Sequence, residues 1–163
     1  MTDKEYFCEC IRQCENGMYK LAMGILKNET DAEDAMQDAI LKAYCNLDQL
    51  KDRKKFRSWI FSIVHNCAIE CVRKQKNIID IEEEPFLAAP ESPVDISTKL
   101  TLWEAVQKLK APYSTVIILF YYEDYSILQI SSITNTHVNT VKKQLSRARA
   151  MLAKLLHKED FVL

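Results

Sequence analysis

A run of cations near the C-terminus is the clearest candidate for binding chemistry in the sequence. From Thr136 to Lys158 there are six Lys or Arg residues and no Asp or Glu. An apolar stripe recurs every three or four residues from Val141 to Leu155, so the cations and the short polar residues before them fall on the opposite side of a helix. In a helix that enters the DNA major groove, the first turn meets base edges and later cations meet phosphates. The residues predicted to bind duplex DNA are Asn139, Thr140, Lys142, Lys143, Ser146, Arg147 and Arg149.

An aromatic residue and an amide, close to a second group of cations, indicate a surface for single-stranded nucleic acid. Trp59, Ser62 and Asn66 are three and four residues apart, which places them on one stripe of a helix. Binding of a single strand requires an aromatic ring for stacking, a hydrogen-bonding group for an unstacked base, and cations along the backbone. Trp59 as a core residue and Asn66 as an incidental surface residue are the alternatives. The residues of this predicted surface are Lys54, Lys55, Arg57, Trp59, Ser62, Asn66 and Arg73.

A partly acidic face lies earlier in the chain. Asp34, Gln37, Asp38 and Leu41 are separated by three, one and three residues, a spacing that places them together on a helix. Such a face fits a basic surface on a protein partner, although an ordinary solvated face has the same pattern. These four residues are predicted to form a docking patch.

The cysteines offer a different function. No Cys-x2-Cys pair is present, so the sequence matches no zinc-binding template. Cys10 and Cys14 share one helical face, as do Cys67 and Cys71, with His65 close to the second pair. A redox or metal sensor is therefore an alternative, while small core residues are the simpler interpretation. The six cysteines are Cys8, Cys10, Cys14, Cys45, Cys67 and Cys71.

Motifs for catalysis and for membrane insertion are missing from the sequence. It has no Gly-rich phosphate loop, no His-Glu-x-x-His and no Gly-x-Ser-x-Gly. We therefore expect no enzymatic activity, no metal site and no cofactor. The longest fully apolar run, Val116 to Tyr122, is far below the roughly 20 residues needed to span a bilayer, and the N-terminus lacks the pattern of a signal peptide. We expect a cytoplasmic protein without direct membrane insertion.

The elements that position these groups are predicted to be helices. The 163 residues are 48% hydrophobic but include only 2 Gly and 4 Pro, which leaves few sharp turns. The net charge of −1 conceals an uneven distribution, because residues 77–98 hold six acidic residues, three prolines and no Lys or Arg. The sequence thus predicts an all-α chain with two small domains, residues 1–76 and 99–163, that an acidic, proline-containing linker (77–98) leaves free to move.

Capping patterns locate the individual helices. A Ser/Thr-x-x-Glu/Gln capping box stands at Thr30–Glu33 and again at Ser126–Gln129. Asn135 tolerates the positive φ required in a tight turn, so the last two helices are predicted to form a helix-turn-helix. The predicted helices cover residues 3–27, 56–76, 100–109, 112–122, 126–133 and 137–157, with a further helix that begins at Thr30.

In this order, the segments resemble bacterial RNA polymerase sigma factors of the extracytoplasmic-function (ECF) class over nearly the whole chain. Asp31–Tyr44 is similar to the family's second conserved region, which implies that the docking patch binds the clamp helices of the polymerase's largest subunit. Phe56–Asn66 is similar to the segment that melts and reads the minus-ten element, with Asn66 facing a flipped base. Ser126–Arg149 is similar to the fourth region, which reads the minus-thirty-five element and contacts the polymerase flap.

The resemblance implies a promoter-specificity subunit that binds core RNA polymerase and promoter DNA and has no catalytic residues. It also implies a membrane-tethered anti-sigma factor that holds the protein until an envelope or stress signal arrives, and a linker that lies in the RNA channel. The family usually has Leu-Gly-Ile-Pro at the turn where Thr134–His137 stands here, so promoter preference does not follow from the resemblance. A helix-turn-helix transcription factor that acts without the polymerase is the alternative.

Overall fold

The structure, a computed structural model, describes residues 1–82 and 101–156, with the side chains of 78–82 left out. Within these ranges the chain forms seven α-helices, one π-helical segment and two short 3-10 turns, and it forms no strand. The predicted all-α class is confirmed. Residues 83–98 of the predicted linker and the last seven residues, 157–163, lie outside the described part of the chain.

The N-terminal unit consists of three helices that pack pairwise: α1 (Asp3–Leu26), α2 (Glu29–Cys45) and α3 (Phe56–Glu82). Two 3-10 turns, Leu47–Gln49 and Arg53–Lys55, connect α2 to α3. Small side chains let α2 approach the other two helices closely. Its buried side is made of Ala32, Ala35, Ala39 and Ala43.

The start of α2 differs from the prediction. The helix begins at Glu29, and the side chain of Asn28 accepts a hydrogen bond from the backbone N–H of Asp31 at 3.0 Å. Asn is as good an N-cap as Ser or Thr, and its position one turn before Asp31 satisfies the exposed N–H group. The capping box predicted at Thr30 is therefore wrong.

The end of α3 also differs from the prediction. The helix runs to Glu82, beyond the predicted end at residue 76. No proline or glycine interrupts the chain between Phe56 and Pro85. A proline disfavours helical geometry inside a helix and at the residue before it, so Pro85 does not prevent the helix from reaching Glu82. The first part of the segment predicted as linker is therefore helical.

The C-terminal unit contains α4 (Leu102–Lys108), α5 (Tyr113–Ile117), α6 (Ile127–Thr134) and α7 (Val138–Leu155). A π-helical segment, Ile118–Tyr122, continues α5. The sequence predicted one regular helix over α5 and this segment, because the wider turn of a π-helix cannot be recognised in the spacing of the apolar residues.

The helix-turn-helix of α6 and α7 follows the sequence prediction. Ser126 and Gln129 form the expected capping box at the start of α6, and Asn135 ends the helix with a φ of 51°. His137 caps α7 by accepting the backbone N–H of Asn139 at its Nδ1 atom, 3.2 Å away. These caps and the turn fix where α7 begins, and one side of α7 faces solvent.

The two units pack against each other, which differs from the expectation of freely moving domains. α3 packs on α6, α1 contacts α4, α5 and the π-helical segment, and the buried residues of both units form one core. Phe61 is fully buried although it lies outside the predicted apolar stripe of α3, because its ring packs on that of Tyr125 with the centroids 5.6 Å apart. The residues of that stripe are Phe56, Trp59, Ile60, Ile63, Val64, Cys67 and Cys71. The periodicity of one helix reports burial within its own unit and misses burial between units.

Candidate functional site

The predicted docking patch lies on the solvent side of α2. Asp34, Gln37, Asp38 and Leu41 are on the side opposite the buried alanines, and all four are exposed. Leu41 is 63% exposed, which is high for a large apolar side chain. Among the described residues, neither aspartate forms a salt bridge. The patch thus presents two free carboxylates around one apolar residue, which suits a basic protein surface.

A cavity of about 350 Å³ opens between the end of α2 and α3. Trp59 and Asn66, predicted from the sequence, lie together on its wall. Trp59 is half-buried and packs edge-to-face against Phe56 with the ring centroids 5.8 Å apart, so it is both a core residue and a wall residue. The remaining lining residues are Lys42, Asn46, Gln49, Ile63 and Cys67.

Two amides of this cavity were missed from the sequence. Gln49 Nε2 donates to Asn46 Oδ1 at 3.2 Å, and Asn46 Nδ2 donates to the carbonyl oxygen of Lys42 at 2.7 Å. This chain of hydrogen bonds fixes the orientation of both amides and leaves the Gln49 side-chain carbonyl available as an acceptor. The signal that could have found them is the spacing of four and three residues from Lys42, which continues one helical side of α2 into the following turn. Together with Asn66, the cavity offers three amides beside an aromatic ring.

The structure does not bring all residues of the predicted single-strand surface together. Lys54, Lys55 and Arg73 are exposed, and Ser62 is half-buried, but none of the four lines the cavity with Asn66. Arg57 lies on another side of α3, where its guanidinium donates to Glu123. The predicted surface is therefore divided between the cavity, a set of exposed cations, and the contact between the units.

The predicted duplex-binding face of α7 is exposed throughout. Val141, Leu145, Ala148 and Leu152 are buried on the opposite side, as the sequence predicts, while Leu155 is only half-buried. In the described part of the chain, no cation of this face has an acidic partner. The exposed residues are Asn139, Thr140, Lys142, Lys143, Ser146, Arg147 and Arg149.

Arg149 differs from the other cations of α7. Its Nε donates to the hydroxyl of Tyr121 at 2.6 Å, and its guanidinium lies 5.5 Å from the ring centroid of Phe120. These contacts tie the side chain to the π-helical segment. Lys142, Lys143 and Arg147 have no such contact among the described residues, so they are free to reach phosphates.

The cysteines differ in exposure: Cys14 and Cys67 are buried, Cys8, Cys10 and Cys71 are half-buried, and Cys45 is exposed. All six are free thiols, and the described residues contain no group of His, Cys, Asp or Glu that could hold a metal ion. Burial raises the pKa of the Cys14, Cys67 and Cys71 thiols, which disfavours the reactive thiolate. For these three thiols the burial argues against a redox role.

The helices also differ from membrane-spanning segments. Among the described residues, none of them combines the length and the apolar character that crossing a bilayer requires.

Comparison with known families identifies both units. Residues 10–78 match the model for "Sigma-70 region 2", and residues 99–152 match that for "Sigma-70, region 4". The two matches cover the docking patch and the cavity in the first case and the helix-turn-helix in the second.

Comparison with whole proteins gives the same result over almost the full length. The chain is 33% identical to RNA polymerase sigma factor SigV of Bacillus subtilis (strain 168), over 98% of this chain and 96% of the relative. It is 31% identical to the ECF RNA polymerase sigma factor SigW of the same organism, over 94% and 90%. Among solved structures, the sigma factor RpoE from Bartonella quintana, in complex with the anti-sigma factor NepR, has a similar fold, with a TM-score of 0.76, 23% identity and coverage of 92% and 96%.

Proposed function

Because this chain belongs to the sigma-70 family of RNA polymerase sigma factors and to its ECF class, we propose separate roles in promoter recognition for three exposed features. They are the docking patch on α2, the cavity between α2 and α3, and the exposed face of α7. As a promoter-specificity subunit, the protein binds core RNA polymerase and directs transcription initiation at particular promoters. The observation that carries the assignment of sites is their coincidence with the family regions. The α2 patch and the amide cavity lie within region 2, and the free face of α7 lies within region 4.

The docking patch on α2 binds the clamp helices of the polymerase's largest subunit. Asp34 and Asp38 are exposed and unpaired among the described residues, so they are available to cations of a partner, and Leu41 supplies apolar contact. Changing both aspartates to lysine places like charges against that surface and costs several kcal/mol when the contact is desolvated. We expect Asp34→Lys/Asp38→Lys to lose co-purification with core polymerase while its circular dichroism stays helical. Normal co-purification would remove α2 from the polymerase contact.

The cavity between α2 and α3 takes one unpaired base of the minus-ten strand. Trp59 offers a ring for stacking, and the amides of Asn46, Gln49 and Asn66 offer donors and acceptors for the edge of the base. The exposed cations hold the backbone of the strand on either side of that base. They are Lys54, Lys55 and Arg73, with Ser62 as a further contact.

The free face of α7 reads the minus-thirty-five duplex. Asn139 and Thr140 in the first turn face the base edges, and Lys142, Lys143 and Arg147 hold phosphates. Ser146 and Arg149 complete the face. The same unit contacts the polymerase flap.

The protein adds binding energy and no catalytic group, because RNA synthesis takes place in the core enzyme. We expect it to act in the cytoplasm, where promoter DNA and the polymerase meet. The similar structure of RpoE is a complex with the anti-sigma factor NepR, and that of CnrH is a complex with the cytosolic domain of CnrY. By analogy, a membrane-anchored anti-sigma factor holds this chain until an envelope or stress signal releases it.

The decisive experiment adds the purified protein to core polymerase and genomic DNA from the same source. Transcripts that begin at a small set of positions are expected, and they should be absent with core polymerase alone. A helix-turn-helix factor that works without being a polymerase subunit would retain the same DNA fragments without core enzyme and would give no new start sites.

A further inference from the structure

One wall of the base cavity is carried by the connecting loop, residues 46–55, which joins α2 to α3. Asn46 and Gln49 belong to this loop and line the cavity. Among the described residues, the backbone hydrogen bonds of the loop join positions no more than four residues apart. Its two leucines, Leu47 and Leu50, are only half-buried. These local bonds shape the two 3-10 turns, but they do not fix the position of the loop relative to α3.

The first turn of α1 holds the connecting loop in place. The Tyr6 hydroxyl donates to the carbonyl oxygen of Arg53 at 3.1 Å. The Arg53 guanidinium lies 4.4 Å from the centroid of the Tyr6 ring, and its Nη2 donates to Asp3 Oδ1 at 2.7 Å. In the part of the chain that the structure describes, no other hydrogen bond or salt bridge joins the loop to a residue more than four positions away from it. The polar contacts that position the loop therefore converge on Tyr6 and Arg53.

Close packing does not replace these contacts. A second cavity, of about 230 Å³, lies between the first turn of α1 and the connecting loop. An open space of this size means that the loop lacks dense apolar contact on this side. The residues that line it are Asp3, Tyr6, Leu47, Asp48, Leu50 and Arg53.

Tyr6 also supports the opposite wall of the base cavity. Its ring meets the ring of Phe56 edge-to-face with the centroids 6.0 Å apart, and Phe56 meets Trp59 in the same way at 5.8 Å. Aromatic pairs of this geometry stabilise each other beyond the area that they bury. Phe56 is buried, and Trp59 is the aromatic residue of the cavity wall. One side chain of α1 thus contacts the supports of both walls, although it does not line the cavity itself.

The contacts of this cluster differ in expected strength. Asp3 and Arg53 form a surface ion pair, because their side chains are 79% and 61% exposed, and such pairs contribute little. The hydrogen bond to the Arg53 carbonyl oxygen, the contact with the guanidinium and the contact with Phe56 all depend on Tyr6. Loss of Tyr6 should therefore have the largest effect on the cavity, and loss of Asp3 the smallest.

We infer that Tyr6 and Arg53 are positioning residues that set the distance between the amides and the aromatic ring of the base cavity, and thereby how strongly the protein distinguishes one base from another. The inference rests on the proposed function for the identity of the ligand. Every base has a flat face that can stack on Trp59, whereas the edges of the bases differ in their donors and acceptors. A hydrogen bond to an edge requires a donor–acceptor distance close to 3 Å, so a shifted loop loses the edge contact and keeps the stacking.

The fluorescence of Trp59 in the free full-length chain tests the positioning without any DNA. The chain has two tryptophans, so Trp103→Phe makes Trp59 the single reporter. In this background, Tyr6→Leu should move the emission to longer wavelength and increase its quenching by acrylamide, and Tyr6→Phe should do so less. Emission and quenching that stay unchanged in Tyr6→Leu would overturn the inference.

A matched control uses another arginine paired with a carboxylate. Arg12 is exposed on α1 and pairs with Glu9 at 3.3 Å, but it has no contact with the connecting loop among the described hydrogen bonds and salt bridges. Arg12→Ala should leave the Trp59 signal unchanged, whereas Arg53→Ala should alter it and Arg53→Lys should restore part of it. Circular dichroism checks that each variant is folded.

Base preference on holoenzyme tests the consequence for promoter recognition. Four versions of one promoter differ only at the base that becomes unpaired, and open complexes are measured by permanganate footprinting. The wild type should prefer the best base over the worst by about tenfold or more, which is the effect of one good contact to a base edge. Tyr6→Phe and Arg53→Ala should reduce opening on the best base several-fold and leave opening on the worst base unchanged.

A structural role alone gives a different pattern. A variant that is merely less stable would lose open complexes equally on all four promoters, and this result, or no change at all, would overturn the inference. If holoenzyme opens no promoter, the proposed function fails and the reading of bases fails with it. The Trp59 fluorescence then still decides whether Tyr6 and Arg53 position the cavity.

Discussion

Two sides of α3 carry similar residue types in different environments. Trp59 and Asn66 face the open cavity beside α2, whereas Arg57 and Phe61 face the C-terminal unit. The sequence pattern predicted one DNA surface for Arg57, Trp59 and Asn66. An aromatic ring beside a polar side chain thus lines an open cavity on one side of α3 and binds another part of the same chain on the other side. Accessibility, which the residue types do not encode, separates the two uses.

The largest expected difference between these sides is in stability. Phe61 is fully buried and Trp59 only half-buried. Phe61→Ala should lower the free energy of unfolding by about 3–5 kcal/mol, because it removes a large core side chain and leaves a cavity. Trp59→Ala should lower it clearly less, since part of its ring already faces solvent. Urea denaturation followed by circular dichroism measures both changes.

A conservative variant provides the control for this comparison. Phe61→Leu keeps much of the apolar volume, so its loss of stability should fall well below that of Phe61→Ala. Equal losses for Trp59→Ala and Phe61→Ala would mean that both sides of α3 are core and that the cavity is not a binding surface.

Substitutions on the cavity side of α3 should affect promoter opening and leave the free energy of unfolding nearly unchanged. Asn66 is exposed, so Asn66→Ala should leave unfolding nearly unchanged. Loss of an amide that binds the extruded base should make open complexes rarer by about 1–3 kcal/mol, while closed complexes still form. Permanganate footprinting of the melted region on holoenzyme measures this effect, with Val72→Ala as a control on the same helix. Footprints that match the wild type would make Asn66 an incidental surface residue.

The distinction between free and engaged side chains extends to α7. Lys143 and Arg147 face solvent, whereas Arg149 is bound to the Tyr121 hydroxyl. Lys143→Ala or Arg147→Ala should weaken promoter binding and reduce the slope of log affinity against log salt by about one for each phosphate that the variant no longer binds. Arg149→Ala should change the slope less. Titrations at several salt concentrations measure it, and unchanged slopes for Lys143→Ala and Arg147→Ala would remove α7 from the phosphate backbone.

Local signals in the C-terminal unit predicted local structure well, whereas the one at Thr30 did not. The capping box at Ser126 and the turn at Asn135 depend on residues within one helical turn, and both are present. The exposed face of α7 also follows from the spacing of its own apolar residues. Family resemblance, carried by three motifs in order, predicted the class that the comparisons establish.

Features that depend on distant parts of the chain were not predicted. Phe61 is buried by Tyr125, which lies far along the sequence, and Arg57, predicted to bind DNA, binds Glu123 instead. The amides of Asn46 and Gln49 belong to the cavity because the chain turns after α2 towards α3. Periodicity describes one helix at a time, so it leaves open which side of a helix meets another unit. Gly17 and Gly24 of α1 were one available signal, because a Cβ atom at these positions would meet the side chains of Glu123 and Ile118 in the C-terminal unit.

The smallest expected effect concerns His65, one turn after Phe61 on α3. Burial lowers the pKa of its imidazole, and Nδ1 has no hydrogen-bond partner among the described residues. At a pH above about 6.5 the imidazole is neutral in both the folded and the unfolded chain, so it contributes no pH dependence. As the pH falls below that value, the unfolded chain takes up the proton first, and the free energy of unfolding decreases by at most about 1.4 kcal/mol per pH unit until the folded-state pKa is reached. His65→Gln should remove this slope between about pH 6.5 and 5.5, above the range in which most carboxylates titrate. Urea denaturation at several pH values measures it, and the same slope in the variant and the wild type would show that His65 is as hydrated in the folded chain as in the unfolded one.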